Sequence, residues 1–248
     1  MIDAVSPDPP NTQSRAFDPV ARRKAPPPML AAISPQFLSL VGIYVVCLVL
    51  SIAVHEYCHA LAASKLGDPT PEQEGRLTLN PVSHADVVGT LILPVVAALG
   101  QWPLFGWGKP VPTQPRFYTR RVSMRGGMAI VAAAGPAGNV VLAGVVLGLA
   151  ALLGTVDQLT PQTARVLQTL LHLNVVLCVL NLLPLHPLDG GKILAAFLPA
   201  SLEYVDNFLL RYGGFIFIGL FLLGGRVLGA LFAPFLRFAD QLWWAVVG

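Results

Sequence analysis

His55-Glu56-Tyr57-Cys58-His59 holds the residue types and spacing best suited to chemistry in this chain. On a helix, side chains four apart leave the same face, so both imidazoles can close on one zinc ion. Glu56, beside the first histidine, can take a proton from water as a general base. The chemistry such a set serves is metal-assisted hydrolysis. The pentapeptide ends an uncharged apolar run from Phe37 to Val54. Ionisable side chains are expensive in lipid, so three of them here call for a metal, a cavity or both. The plain alternative is a chance match, with the histidines hydrogen-bonded inside a bundle; the same cost argues against it.

A zinc centre of this kind needs a third protein ligand and an open position. Asp189 is the best remaining candidate, between Pro187 and Gly190-Gly191 at the end of an apolar stretch. The same position also suits a helix N-cap. The histidine motif favours the ligand. Cys58 lies beside His59 and points about 100° away around the helix, which reads as small-residue packing. His84 and Asp86 could form a second metal pair, but bracing a loop is the better reading. His172, beside Asn174, reads as a packing residue. Asn139 reads as a group satisfying backbone at a helix start, and His186 as a tolerated surface histidine.

The elements that position these residues belong to a membrane protein. Of 248 residues, 54% are hydrophobic and 12% charged, against about 25% charged in ordinary soluble domains. A net charge of +3 makes no case for nucleic acid. Three cysteines in apolar stretches argue against a disulfide framework. Residues 1–35 are polar and proline-rich, unlike a secretory signal, and read as a disordered tail before a membrane domain over 36–248. Apolar spans are expected at about 36–66, 127–153, 166–183 and 212–236. The stretch at 87–103 is short and holds Pro94, so it reads as re-entrant; Arg76–Leu79 alternates like a short strand. The fold class expected is an all-α polytopic membrane protein, a helical bundle with a small β/re-entrant element beside the active site.

Parity supports the re-entrant reading. His59 and Asp189 can share a metal only at similar depth, and a full crossing at 87–103 would put them at opposite surfaces. A re-entrant element also gathers Lys65, Arg76, Lys109, Arg116, Arg120, Arg121, Arg125, Lys192 and Arg211 on the side of the site. That is the signature of the cytoplasmic face, although Arg22-Arg23-Lys24 in the tail runs the other way.

Several separated motifs, in order, resemble the site-2 proteases, a family of zinc intramembrane metalloproteases. They are His55-Glu56-x-x-His59; Gly75-Arg76-Leu77-Thr78-Leu79-Asn80-Pro81-x-x-His84-x-Asp86; Gly106-Trp107-x-Lys109-Pro110-Val111-Pro112; Ala134-Gly135-Pro136-x-x-Asn139; and Asn181-x-x-Pro184-x-x-Pro187-x-Asp189-Gly190. The resemblance covers most of residues 36–200. It implies one zinc ion held by His55, His59 and Asp189, with Glu56 as catalytic base and Asn181 orienting substrate or stabilising the oxyanion. It implies a substrate protein with a transmembrane helix, cleaved within the bilayer near the cytoplasmic face. The pattern looks like the compact branch without PDZ or CBS domains. A metal-binding transporter and a proteolytically inactive scaffold are the rivals; neither needs a glutamate beside the first histidine. Nothing in the sequence sets the oligomeric state.

Overall fold

The computed structural model describes residues 34–100 and 106–248. The tail expected over 1–35 falls almost entirely outside the described residues. Within them the protein is all-α. Helix α1 (Pro35–Lys65) carries the histidine motif, and Gly67, in the left-handed region at φ +99°, turns the chain after it. Its 31 residues reach about 46 Å at 1.5 Å each, well beyond the ~30 Å of hydrocarbon. The motif, in the last third of α1, therefore sits towards one surface.

Two single turns follow, α2 (Thr70–Gln73) and α3 (Pro81–His84), and then a π-helical turn, Val87–Ile92, leading into α4 (Leu93–Leu99). Pro94 does not break this stretch. It lies in the first turn of α4, where a missing N–H costs no helical bond. The two pieces, six and seven residues long, span about 20 Å at most and cannot cross the bilayer. The chain then returns to where it left. Trp107 N–H donates to Gly89 O (3.3 Å), Lys109 N–H donates to His84 O (2.8 Å), and Ala85 and Gly108 form an antiparallel bridge. Both ends of the excursion thus lie at one depth, as a re-entrant element requires.

The expected strand at Arg76–Leu79 does not form. No strand occurs among the described residues; Leu77 and Thr78 make a bend, and Arg76 and Leu79 flank it as irregular chain. The cause is side-chain anchoring: His84 Nε2–H donates to Thr78 O (2.8 Å), and Arg76 turns inward to backbone carbonyls. No neighbouring strand among the described residues lies alongside to build a ladder. The β component reduces to the isolated Ala85–Gly108 bridge.

Helix α5 (Met124–Thr155) opens on Ser123, whose Oγ accepts from Gly126 N–H (3.0 Å). It starts earlier than the small-residue motif suggests, so Asn139 lies mid-helix rather than at a start. Helix α6 (Pro161–Asn181) opens on Thr160, with Pro161 at the first helical position. Helices α1, α5 and α6 pack side by side and antiparallel in turn, returning the chain to the histidine end. There α7 (Asp189–Phe197) begins. The expected stretch at 212–236 is not one helix. It divides at Gly224 into α8 (Glu203–Leu223) and α9 (Gly225–Val247). Ala239 and Trp243 of α9 are buried against Val146 and Ala150 of α5 and Leu167 and Leu171 of α6.

Four helical segments are long and apolar enough to cross a membrane: Pro35–Lys65, Met124–Thr155, Pro161–Asn181 and Ala200–Leu223. Their outward residues include Val141, Leu152, Phe215 and Leu223, all exposed. Lipid, not water, suits such a surface. The protein is a polytopic membrane protein of helices, with a re-entrant element beside the histidine motif.

Candidate metal centre

Two helices bring the candidate ligands together. His55 and His59 leave one face of α1, and Asp189 is the first residue of α7. His55 Nε2 lies 3.0 Å from His59 Nε2. Asp189 Oδ2 lies 3.2 Å from the first nitrogen and 3.1 Å from the second. All three residues are buried. Asp189 does not cap its helix, since no side-chain capping bond forms at the start of α7. Of its two sequence readings, the N-cap is the one the geometry removes.

The proton positions follow from the other ring nitrogens. His59 Nδ1–H donates to Val131 O at 2.7 Å, and a carbonyl can only accept. His55 Nδ1–H donates to Asn139 Oδ1 at 2.7 Å. Asn139 Nδ2–H donates in turn to Asn174 Oδ1 at 2.8 Å, and Asn174 Nδ2–H donates to Ser51 Oγ at 2.9 Å. Asn139, Asn174 and Ser51 are wholly buried. With the Nδ1 protons committed, each neutral imidazole presents a lone pair at Nε2. Two lone pairs and a carboxylate oxygen then face one another, which is repulsive without a cation between them. A tetrahedral site with zinc bonds of ~2.0–2.1 Å has donor atoms about 3.3 Å apart, close to the separations here. The donor set and its spacing fit zinc.

Burial alone would raise the Asp189 carboxyl. The polar groups that face it, the Lys192 ammonium among them, outweigh burial and hold the acid below the ordinary carboxylate range. Asp189 therefore faces the imidazoles as an anion at neutral pH. Lys192 Nζ donates to its other oxygen, Oδ1, at 3.0 Å. That contact leaves Oδ2 for the imidazole side.

Room for the centre depends on α5. A Cβ on Gly135 would meet Nε2 and Cε1 of His59 and Cε1 of His55. Only a residue without a side chain lets the α5 backbone lie over both rings. Cys58 packs against Gly138 of the same helix, as its angle around α1 predicts.

A cavity of about 460 Å³ opens beside the three residues and is also lined by Glu56, Val111 and Asn181. Glu56 Oε2 accepts from Val111 N–H at 2.9 Å. Asn181 donates one amide N–H to Leu177 O at 3.0 Å, so its second N–H is the one left to face the cavity. His186 also lines this cavity, with Nε2 3.1 Å from Asp206 Oδ1 of α8, and is not the bland surface group its sequence position suggests. Sequence reasoning likewise misassigned Asn139, which is the partner of His55. His84 and Asp86 brace a loop: Asp86 Oδ1 accepts from Gly89 N–H at 2.7 Å. His172 pairs with Asp240 of α9 at 2.8 Å, away from the cavity.

Comparison with known proteins identifies the family. The chain is 35% identical over 198 residues to "Putative zinc metalloprotease YwhC" of Bacillus subtilis, covering 77% of this chain and 86% of that one. The chain belongs to the site-2 protease family, peptidase family M50. The family model for peptidase family M50 matches residues 156–220, the part that contains Asp189. Two mycobacterial proteins named "Putative zinc metalloprotease Rip2" are also similar. The one from Mycolicibacterium smegmatis is 36% identical over 168 residues, covering 65% of this chain and 60% of that one. The one from Mycobacterium tuberculosis is 32% identical over 165 residues, with the same coverage. No solved structure matches the chain.

Proposed function

We propose that this family member is a zinc-dependent intramembrane endopeptidase, cutting transmembrane or membrane-proximal segments of other proteins. One observation carries the proposal. His55 Nε2, His59 Nε2 and Asp189 Oδ2 converge with their lone pairs inward, beside a glutamate in the same cavity. A single zinc ion held there would supply Lewis acidity, polarising the scissile carbonyl and making water nucleophilic near neutral pH.

The chain's own residues do the rest. Glu56 takes the proton of the attacking water and passes it to the leaving amine. Its Oε2 is occupied by the Val111 amide, which leaves Oε1 for that transfer. Asn181, which lines the same cavity, would donate its second amide N–H to the carbonyl oxygen as negative charge builds. The buried asparagine–serine chain holds His55 in the tautomer whose Nε2 faces inward. A substrate helix hides its carbonyls in internal hydrogen bonds, so it must unwind locally before a peptide bond reaches the cavity. The site sits at the end of the bundle where Lys65, Arg125 and Lys192 gather, and that end faces the cytoplasm on the positive-inside rule.

The test is purified wild type against Glu56→Gln, with bound zinc counted in both and cleavage followed on a panel of single-span helices. One zinc in each, with Glu56→Gln slower by about 10²–10⁴-fold, is the expected result. Equal cleavage by the two proteins refutes the base. Cleavage by neither, with zinc in both, refutes the peptidase.

A further inference from the structure

Arg76 is buried, at 5% exposure, and its three hydrogen-bond partners among the described residues are all backbone carbonyls. One nitrogen donates to Ser83 O, and the other to Lys109 O and Pro110 O, both at 2.9 Å. A guanidinium taken out of water and given only carbonyls is an expensive arrangement. Two of those carbonyls belong to the strap, residues 106–114, that runs beside the cavity. The strap is poor in donors, because Pro110 and Pro112 have no N–H. A hydrogen-bonded ladder cannot hold such a segment, but a side chain reaching its oxygens can. The arginine fork does this at 109–110, and Asp68 Oδ2, accepting from Gln114 N–H, ties down the far end. Between these ties lies Val111, whose N–H is donated to Glu56 Oε2 at 2.9 Å.

We propose that Arg76 is a positioning residue for Glu56: it grips the strap so that the Val111 amide fixes the orientation of the catalytic carboxylate. This rests on Glu56 being the base, as argued above. Arg76 acts from outside the cavity and makes no hydrogen bond to His55, His59 or Asp189. A merely structural arginine would stabilise the loop without a specific link to Val111. The two roles differ in how mutations combine, since residues acting through one contact are not additive.

The experiment uses the full zinc-loaded chain in lipid nanodiscs, with a single-span substrate that wild type cleaves. Arg76→Met, Arg76→Lys, Val111→Pro and the Arg76→Met/Val111→Pro double variant are compared. Zinc per chain, kcat, KM and deuterium uptake across 106–114 are measured. Arg76→Met should lower kcat by about 10–100-fold, the scale of a misplaced reacting group. Its zinc and KM should stay near wild type, and deuterium uptake across the strap should rise. Arg76→Lys should recover part of the rate. Val111→Pro, with Arg76 intact, should give a similar loss of kcat, and the double variant should be no slower than the slower single one. Losses that multiply, zinc lost together with activity, or an unchanged kcat in Val111→Pro each overturn the proposal. Val111→Pro keeps the test decisive even where removing Arg76 prevents folding. Failure of wild type itself to cleave any helix strikes the proposed function, whereas cleavage by wild type with the wrong variant pattern strikes only the role of Arg76.

Discussion

Gly135 sets the tolerance of the metal centre at the scale of single residues. A methyl group there would occupy the space of both imidazoles. Gly135→Ala should therefore displace the rings, with zinc per chain falling well below one and cleavage dropping by about 100-fold or more. Gly144→Ala is the control on the same helix, because its added carbon meets open space; it should retain both. Asn139 makes a second case. Removing its bond to the Nδ1–H of His55 with Asn139→Leu should weaken zinc about 10–100-fold, the usual cost of losing a ligand's outer partner. Competition with a metal indicator reads this directly. That His55 and His59 share a face was legible in the sequence, because an i, i+4 pair on a helix is a local fact. The partner of His55 was not. Asn139 is 84 residues away, and only the packing of α5 on α1 reveals which way it faces. His186 escaped for the same reason, since its aspartate comes from α8.

Elements tell a similar story about what is local. The long apolar spans follow from composition alone, and α1, α5 and α6 appear where hydropathy puts them. The break at Gly224 falls at a Gly-Gly pair, but the apolar pattern runs across it, so hydropathy alone joins the two helices into one span. Alternation at Arg76–Leu79 misled because period two signals a strand only when a partner strand exists. Here a buried arginine and His84 compete for the backbone and win. Helix α9 shows how packing, not hydropathy, seats an element: Trp243 is 2% exposed while the adjacent Trp244 is 63% exposed. Trp243→Ala should destabilise the bundle by about 3 kcal/mol, seen as a lower unfolding midpoint in detergent. Trp244→Ala should leave the midpoint unchanged. Equal effects of the two would mean that α9 does not pack on α5 and α6 through this face.

For the whole molecule the open question is which way it faces. Helices α1, α5 and α6 alternate in direction, so the end bearing Lys65, Arg125 and Asn181 is opposite the α5–α6 turn at 156–160. The re-entrant element preserves this parity because it leaves and returns at the same level. By the positive-inside rule the basic residues at the first end predict that it lies in the cytoplasm, with the turn containing Asp157 on the outer side. Single cysteines test this, placed on a background in which Cys47, Cys58 and Cys178 are replaced. An impermeant maleimide added to intact cells should label Asp157→Cys and not Arg120→Cys, and Arg120→Cys should become reactive only once the membrane is broken. The reverse pattern would put the metal centre outside and remove the charge argument, while leaving the convergence of His55, His59 and Asp189 untouched. Orientation and chemistry are separable here because the first rests on charges spread over loops, and the second on three atoms within a few ångströms.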